Sequence, residues 1–280
     1  MQVKIWLKLF MIFMGVFFLL GCSGGDMEES RVDYKSIKDI PAAKWEQLGK
    51  KQIFFGHQSV GNDVIDGIKD IMKENSDINL NIAEITDKAD LQASVFAHTH
   101  IGKNEYPQSK INAFVSFMEN GLGNNADVAF FKFCFVDVDQ ETNVQKLFNE
   151  YKTNMGELKK KYPKTTFVHC TVPLLKKSKP SFKKWIKGLF GKSGGFFANE
   201  HNVQRNKFNS LMVDEYSGKE PVFDLAEIES TYHDGTRETF TEQGKPYYSL
   251  VPDYTDDGGH LNEAGGKAVA EQLLLFLTNL

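Results

Sequence analysis

The chain has 280 residues, of which 41% are hydrophobic and 25% are charged, a composition typical of a folded globular protein. Its formal net charge of -4 gives no support for nucleic-acid binding, which requires a basic surface. No internal repeat and no long proline-rich or charged linker interrupts residues 40 to 280, so we predict a single domain over residues 41 to 280.

The first residues have the pattern of an export signal. Two lysines precede an unbroken apolar run, Leu9 to Leu20, that is too short to span a bilayer comfortably. The run ends in Leu19-Leu20-Gly21-Cys22, which resembles the lipobox of bacterial lipoproteins. The resemblance implies a lipoprotein signal peptide over residues 1–21, acylation of Cys22 and a flexible tether over residues 22–40. We therefore expect an extracytoplasmic protein, anchored by lipid to a bacterial membrane, either the outer membrane or the cell surface.

Helical and strand-like patterns alternate along the rest of the chain. They predict, in order, a helix in residues 41–51, a strand in 52–56, a helix in 60–72, a strand in 79–85, a helix in 109–122, a strand in 127–136, a helix in 141–162, a strand in 165–172, a helix in 203–216, a strand in 221–226 and a helix in 263–277. Residues 86–108 show no clear period and are predicted to form a long functional loop. The alternation predicts an α/β fold with a parallel sheet covered by helices on both faces.

Two polar segments are predicted to lie at the carboxyl ends of the strands, where α/β sheets of this kind bind ligands. In Asp257-Gly-Gly-His260, the carboxylate can bind one imidazole nitrogen and leave the other free to take a proton from a nucleophile. Ser59 follows the first predicted strand at the start of a helix, beside unpaired backbone N–H groups. Each segment alone has an ordinary alternative, a glycine-rich surface turn or a helix N-cap. Together they predict a nucleophile and its base.

The order Ser, Asp, His, with the last two close together, resembles the SGNH (GDSL-type) hydrolases, a family of esterases and lipases. The block Asp257-x-x-His260-Leu-Asn-x-x-Gly265 matches the family pattern position by position, and the order of elements is similar over about residues 50 to 280. The resemblance implies Ser59 as nucleophile, His260 as general base, Asp257 as its orienting partner and Gly102 as an oxyanion-hole N–H donor, with no cofactor. It implies a flavodoxin-like three-layer α/β/α sandwich with a mostly parallel five-stranded sheet.

The chain departs from the family pattern at two blocks. The nucleophile block reads Gly56-His57-Gln58-Ser59 instead of Gly-Asp-Ser. In the block that usually ends Gly-x-Asn-Asp, Cys134 and Val136 occupy the Gly and Asn positions, so the usual side-chain amide is absent. Losing such a donor costs on the order of a hundredfold or more in rate. Either Asn104 or Gln58 substitutes for it, with His57 as a further residue of the site, or the protein is slow or inactive.

A basic insert is predicted within residues 173–200. The segment Lys176 to Lys192 holds seven lysines and no acid, interleaved with large apolar side chains. On a helix these side chains would form one basic and one apolar face, as in a helix that lies on a membrane surface. One interpretation places the insert on anionic lipid or an acidic polymer, or over the site as a lid. The other packs its apolar face on its own domain.

Other reactive side chains receive ordinary interpretations. His57, His98 and His100 lack the convergent carboxylate or cysteine partners of a metal site, so no metal is predicted. The two cysteines that follow Cys22, both in apolar runs, are predicted to be buried thiols. Lys132 lies inside an apolar strand and is expected to reach a polar cleft or to pair with a carboxylate such as Asp137, because an unpaired buried ammonium is costly.

Two functions stay open at this point. The first is a serine esterase that hydrolyses acetyl or short acyl esters through an acyl-enzyme, with O-acetylated polysaccharide and lipid both open as substrates. The second is a non-catalytic surface lipoprotein that binds a glycan or a partner through a degenerate hydrolase site, which Val136 favours. An acyltransferase with the same three residues is a weaker possibility.

Overall fold

The computed structural model describes residues 36–86, 94–178 and 199–280. The predicted signal peptide, Cys22 and most of the predicted tether lie outside the described residues, as do residues 179–198 of the basic insert. Within the described ranges, no helix has the length and apolar character needed to cross a membrane.

Helices and strands alternate along the described chain. The helices are α1 Ala42–Gly49, α2 Ser59–Glu74, α3 Pro107–Phe117, α4 Gly123–Asn125, α5 Val144–Lys161, α6 Asn199–Tyr216, α7 Leu225–Glu229 and α8 Glu263–Thr278. The strands are β1 Ile53–His57, β2 Ile82–Glu84, β3 Phe96–His100, β4 Val128–Phe131, β5 Thr166–Cys170, β6 Val222–Phe223, β7 Thr239–Glu242 and β8 Lys245–Tyr248. A π-helical turn, Met118–Leu122, joins α3 to α4.

The central sheet is parallel and has the order β2-β3-β1-β4-β5-β6. The predicted α/β fold with a parallel sheet is confirmed, but the predicted count of five strands is wrong, because the sheet has six. Without the edge strand β2, the remaining five strands follow the flavodoxin order 2-1-3-4-5. The chain leaves β1 on one side for β3 and returns on the other side for β4. The crevice at this change of direction is where such sheets bind ligands.

Strand β3 lies inside residues 86–108, which we predicted to be irregular, and that prediction is wrong. Its sequence Phe96-Ala-His-Thr-His100 has neither an unbroken apolar run nor a clear alternation, yet it pairs with β1 on one side and β2 on the other. His98 is tolerated there because its Nδ1 lies 3.0 Å from Nε2 of His57 on β1. The antiparallel hairpin of β7 and β8 was not predicted either.

Helices cover both faces of the sheet, and each face has its own apolar cluster. The side chains of Val128 and Phe130 on β4 contribute to the cluster that includes residues of α1, α2, α7 and α8. Those of Ala129 and Phe131 contribute to the cluster that includes residues of α3, α5 and α6. A strand buried on both faces is apolar at consecutive positions, which explains the unbroken apolar run in this region.

Helices α2 and α8 approach each other closely because glycines line their contact. A Cβ atom on Gly67 of α2 would lie 2.4 Å from the carbonyl oxygen of Gly266 on α8. A Cβ atom on Gly266 would lie 2.7 Å from the carbonyl oxygen of Asp63. Since α2 begins at Ser59 and α8 follows His260, this helix pair sets the distance between the two ends of the predicted site.

Two cysteines and a lysine in or near β4 and β5 test further predictions, one of which is confirmed, whereas the pairing expected between Lys132 and Asp137 is not found. Cys134 and Cys170 are free and buried, as predicted, and burial raises the pKa of the Cys170 thiol to about 12. Lys132 is buried, but it does not pair with Asp137, and its Nζ has no hydrogen-bond partner within the described ranges. The Asp137 carboxylate pairs instead with Lys110, an ion pair that no local pattern predicts.

Candidate active site

Ser59, His260 and Asp257 form a hydrogen-bonded chain. Oγ of Ser59 lies 2.9 Å from Nε2 of His260, and Nδ1 of His260 lies 2.6 Å from Oδ2 of Asp257. An ionised carboxylate can only accept, so the ring carries its proton on Nδ1 and turns the Nε2 lone pair toward the hydroxyl of Ser59. The structure therefore brings together three predicted residues that lie at opposite ends of the sequence.

The Asp257 carboxylate is fixed by the turn that contains it. Its Oδ1 accepts the N–H groups of Gly259 and His260, each at 2.8 Å. Desolvation raises the pKa of Asp257, but the hydrogen bonds from the His260 ring and from these two backbone groups outweigh it and lower the pKa to about 2. Gly258 has a left-handed φ of 95°, which strains residues that carry a side chain, and a Cβ on Gly259 would crowd the end of the Leu175 side chain at 2.7 Å. The carboxylate is thus ionised at neutral pH, and hydrogen bonds hold it to the turn and to the His260 ring.

Ser59 stands at the first position of the 16-residue helix α2. No side chain caps this end of the helix. Within the described ranges, the backbone N–H groups of Ser59 and Gly102 donate to no protein acceptor. The N-terminus of a helix carries a partial positive charge and orphan N–H groups, so this position favours negative charge that develops beside Ser59.

Gln58 braces the site and does not act as an oxyanion donor, which corrects our prediction for this residue. Its Nε2 donates to the carbonyl oxygens of Ile101 at 2.9 Å and Gly102 at 3.2 Å. A primary amide has two N–H donors, and both are used here. These bonds hold the loop after β3, which carries Gly102, against the residue that precedes Ser59.

His57 is buried under the turn that carries Ser59, which differs from its predicted place in the substrate site. The ring is completely buried, and its Nδ1 lies 2.9 Å from the carbonyl oxygen of Gln58, so Nε2 accepts from His98. Burial lowers the pKa of His57 to about 3, so the ring is neutral. A Cβ on Gly61 would lie 2.2 Å from this ring, which packs against the first turn of α2.

The loop that follows β3 rests on Lys110 of α3. Gly102 has a left-handed φ of 59°, and a Cβ there would lie 2.7 Å from the Cα of Lys110. Nζ of Lys110 donates to Oδ1 of Asn104 at 2.9 Å and pairs with Asp137. The oxygen of Asn104 is therefore committed to Lys110, while its amide N–H groups have no acceptor among the described residues. Asn104 remains a candidate donor to the oxyanion.

Asp137 ties this loop to the turn after β4. Its side chain and that of Lys110 are both completely buried. Its Oδ1 accepts the N–H of Glu105 at 2.9 Å, and its Oδ2 accepts the N–H of Cys134 at 2.6 Å. A single buried ion pair thus fixes three segments around the site. Sequence reasoning missed this pair, because no local pattern links Lys110 to Asp137.

Two further side chains position His260 and were not predicted. Asp63 lies one helical turn beyond Ser59, and its Oδ2 accepts the N–H of Leu261 at 3.0 Å. Desolvation raises the pKa of Asp63. Arg205 donates from Nε to the carbonyl oxygen of Phe135 at 2.7 Å, and the ring centroids of Phe135 and His260 are 5.5 Å apart. Asp63 could have been found from the sequence, because its i, i+4 spacing places it on the same face of α2 as Ser59. No sequence pattern links Arg205 to the site.

The three histidines near the nucleophile bind each other and their neighbours. His57 and His98 share a hydrogen bond, and Nε2 of His100 lies 3.2 Å from Oδ1 of Asn62. Within residues 36–86, 94–178 and 199–280, no group of three or more His, Cys, Asp or Glu side chains is arranged to hold a metal ion.

No protein-family model matches the chain, and no curated protein matches it. Several solved structures similar to it are described as GDSL or SGNH hydrolases.

The similarity to individual structures is low. A Streptococcus pneumonia protein described as a platelet activating factor is 15% identical with a TM-score of 0.46, over 84% of this chain and 90% of that one. A Desulfitobacterium hafniense protein described as lipolytic and of the G-D-S-L family is 8% identical with a TM-score of 0.41, over 79% of this chain and 97% of that one. A carbohydrate esterase family 3 protein from Talaromyces cellulolyticus is 13% identical with a TM-score of 0.41, over 79% and 92%. Values this low assign no activity to the chain.

Proposed function

We propose that this protein is a serine ester hydrolase of the SGNH (GDSL) type that works through an acyl-enzyme on Ser59. The observation that carries the proposal is the chain of contacts at 2.9 Å and 2.6 Å from Ser59 through His260 to Asp257. It lies at the carboxyl ends of parallel strands, where α/β sheets bind ligands. A hydroxyl, an imidazole and a carboxylate in this order are the parts of an activated nucleophile.

Acylation uses the tautomer that Asp257 selects. As Ser59 Oγ attacks the ester carbonyl carbon, its proton passes to Nε2 of His260, and the imidazolium is stabilised by the Asp257 carboxylate. The tetrahedral intermediate collapses when the C–O bond to the alcohol breaks and Nε2 protonates the departing oxygen. The acyl group is then held on Ser59 as an ester.

Deacylation repeats these steps with water. His260 accepts a proton from water, the hydroxide oxygen attacks the acyl carbon, and the proton returns to Ser59 Oγ as the acyl–oxygen bond breaks. The carboxylic acid leaves, and the starting state of the three residues is restored.

The oxyanion is stabilised by the N–H groups of Ser59 and Gly102 and by the N-terminal end of α2. The third donor of the family is missing at Val136, so we expect turnover about a hundredfold below that of a site with all three donors. Asn104 is our candidate for a replacement donor, since Lys110 binds its side-chain oxygen and its amide N–H groups have no acceptor among the described residues.

We also propose that the protein works outside the cytoplasm, anchored through lipid on Cys22. The lipobox-like sequence at residues 19–22 and the preceding apolar run support this location. Metabolic labelling with a radioactive or clickable fatty acid tests it. Label should enter the protein and be absent from Cys22→Ser.

The esterase proposal is tested with the full chain purified in detergent, using para-nitrophenyl acetate and butyrate. Ser59→Ala should lose turnover and labelling by a fluorophosphonate probe, whereas Ser116→Ala, an exposed serine on α3, should keep both. Turnover no higher than that of Ser59→Ala, together with no labelling, would favour the non-catalytic binding protein. Product that appears only when an alcohol acceptor is added would identify an acyltransferase.

A further inference from the structure

Two histidines are buried side by side beneath the turn that carries Ser59. His57 is the last residue of β1, and His98 lies on β3, which pairs with β1. Both side chains are buried, that of His57 completely, and their ring centroids are 5.2 Å apart. The proposed acylation and deacylation steps use neither ring, so the reason for burying two imidazoles here lies elsewhere.

The hydrogen bonds of this pair fix where its protons lie. Burial lowers the pKa of both rings, that of His57 to about 3, so each ring is neutral at pH 7 and carries one N–H. The carbonyl oxygen of Gln58 can only accept, and it lies 2.9 Å from Nδ1 of His57, so this nitrogen carries the proton. Nε2 of His57 therefore has a lone pair, and it accepts from Nδ1 of His98 at 3.0 Å. The donors run in one direction, from His98 through His57 to Gln58.

Gln58, where this chain of hydrogen bonds ends, is the residue that immediately precedes Ser59. Its carbonyl oxygen also accepts the N–H of Gly61, in the first turn of α2, at 2.7 Å. The His57 ring packs so closely under this turn that a Cβ on Gly61 would lie 2.2 Å from it. The placement of the His57 ring therefore constrains the backbone on both sides of Ser59.

The strand that supplies His98 continues into the loop that carries Gly102, the predicted oxyanion donor. This loop is fastened to the same short segment of β1. The N–H of Ile101 donates to the carbonyl oxygen of His57 at 3.0 Å, and Nε2 of Gln58 donates to the carbonyl oxygen of Gly102 at 3.2 Å. The hydrogen bond between the two rings is thus one of several contacts that hold the nucleophile turn against the strand and loop of the predicted oxyanion donor.

Stability alone does not require two polar rings at these positions. Replacing both partners of a buried hydrogen bond by apolar groups of similar shape is often nearly neutral for stability. The pair is explained by the bond from His57 to the Gln58 carbonyl oxygen. A buried ring that gives its Nδ1 proton to a carbonyl needs a donor for its other nitrogen, and His98 is that donor.

We propose that His98 is a positioning residue of the candidate active site. By donating its Nδ1 proton, it holds His57 in the tautomer that binds the Gln58 carbonyl oxygen, and this bond fixes the backbone from which Ser59 projects. The proposal rests on the esterase function proposed above. His98 sets the geometry of nucleophilic attack and takes no part in proton transfer to the substrate, so its loss should act on kcat and not on KM.

Two variants of similar shape separate the donor from the ring. Asparagine carries its amide nitrogen, and leucine a methyl group, near the position of the histidine Nδ1, so His98→Asn keeps a donor toward His57 and His98→Leu removes it. On para-nitrophenyl acetate, His98→Leu should lower kcat at least about tenfold with little change in KM, and His98→Asn should stay within about threefold of the wild type. Urea denaturation shows that each variant is folded under the assay conditions. Both variants lose the ring, so a packing role predicts equal losses, and equal kcat values would overturn the proposal.

The tautomer of His57 gives a readout that does not depend on catalysis. NMR of the full chain in detergent, labelled with ¹⁵N in its histidine rings, distinguishes a protonated ring nitrogen from an unprotonated one, and His57→Gln assigns the signals. The proton should lie on Nδ1 in the wild type and in His98→Asn, and it should move in part to Nε2 in His98→Leu. A proton on Nε2 in the wild type, or a tautomer that His98→Leu leaves unchanged, would overturn the proposal.

The two measurements separate a failure of the positioning role from a failure of the esterase. If the wild-type chain hydrolyses no ester but His98→Leu shifts the His57 proton, the role of His98 in ordering the turn stands and the esterase function fails. If the chain hydrolyses para-nitrophenyl acetate and His98→Leu keeps the wild-type kcat, the esterase function stands and the positioning role fails.

Discussion

The ion pair between Lys110 and Asp137 provides a quantitative test of how the site is held. Both side chains are completely buried, and the carboxylate also accepts the N–H groups of Glu105 and Cys134. Lys110→Met keeps most of the aliphatic stem but leaves a buried carboxylate without its countercharge. Removal of one partner from a buried pair costs about 3–5 kcal/mol. Since domains of this kind have total stabilities of about 5–15 kcal/mol, the loss would be a large fraction of the whole.

The free energy of unfolding is measured by urea denaturation at pH 7, followed by tryptophan fluorescence. A loss of about 3 kcal/mol should lower the urea midpoint by roughly 1 M or more. Lys161→Met is the matched control, because Lys161 pairs with Glu119 at 2.6 Å while both side chains are about half exposed, at 54% and 48%. A surface pair of this kind is worth about 0–1 kcal/mol, so the control should change the midpoint little.

A double variant separates the lost charge from the lost packing. Lys110→Met combined with Asp137→Asn removes the unpaired carboxylate but keeps an oxygen that can accept an N–H from the loop. It should recover about half or more of the stability that Lys110→Met loses. The reasoning is refuted if Lys110→Met costs no more than Lys161→Met, or if the second substitution adds to the loss.

Further predictions concern the helix contact, the orienting carboxylate and acid stability. Gly67→Ala places a Cβ 2.4 Å from the Gly266 carbonyl oxygen and should lower the free energy of unfolding by about 1–3 kcal/mol, measured by calorimetry. Gly156→Ala, the control, has nothing within 4 Å of its Cβ and should raise the free energy of unfolding by up to about 1 kcal/mol. The opposite order of stabilities would contradict the close contact between α2 and α8. Asp257→Asn should lower kcat on para-nitrophenyl acetate about 10⁴-fold, because the amide NH₂ would replace Oδ2 opposite Nδ1 of His260 while the remaining oxygen binds the two backbone N–H groups. A loss under tenfold would exclude the role of Asp257 as the orienting carboxylate. Burial lowers the pKa of His57 from 6.5 to about 3, so between these pH values the ring is protonated in the unfolded chain and neutral in the folded chain. Protonation therefore favours the unfolded state, and the urea midpoint should fall as the pH drops from about 6.5 toward 3. The fall should be shallower in His57→Gln; identical profiles would show that another group is responsible.

Much of the fold could be predicted because its central strands are covered on both faces. Such strands are apolar at consecutive positions, as in Val128–Phe131, and the helices between them carry an apolar stripe. The Asp257 and His260 motif could be found for a related reason, since its carboxylate and ring lie three positions apart in one turn. Features encoded by residues close together in the chain were visible in the sequence.

The remainder depends on the register of neighbouring strands and on contacts between distant elements. β3 escaped prediction because His98 pairs with His57, a partner on another strand that makes a polar side chain acceptable inside the sheet. The roles of His57 and Gln58 follow from the same register, which brings residues 98 and 101 beside them. Lys132 was expected to reach a polar cleft or to pair with a carboxylate such as Asp137, but Lys110 of α3 pairs with that carboxylate. No residue spacing in the sequence indicates which of these distant side chains contact each other.

The nucleophile and the base lie 201 positions apart along the chain. The proposed relay from Ser59 to His260 exists only when α8 lies against α2, because the glycine-lined contact of these helices sets the distance between the two side chains. Substitutions that force the two helices apart should therefore reduce the proposed activity together with the stability.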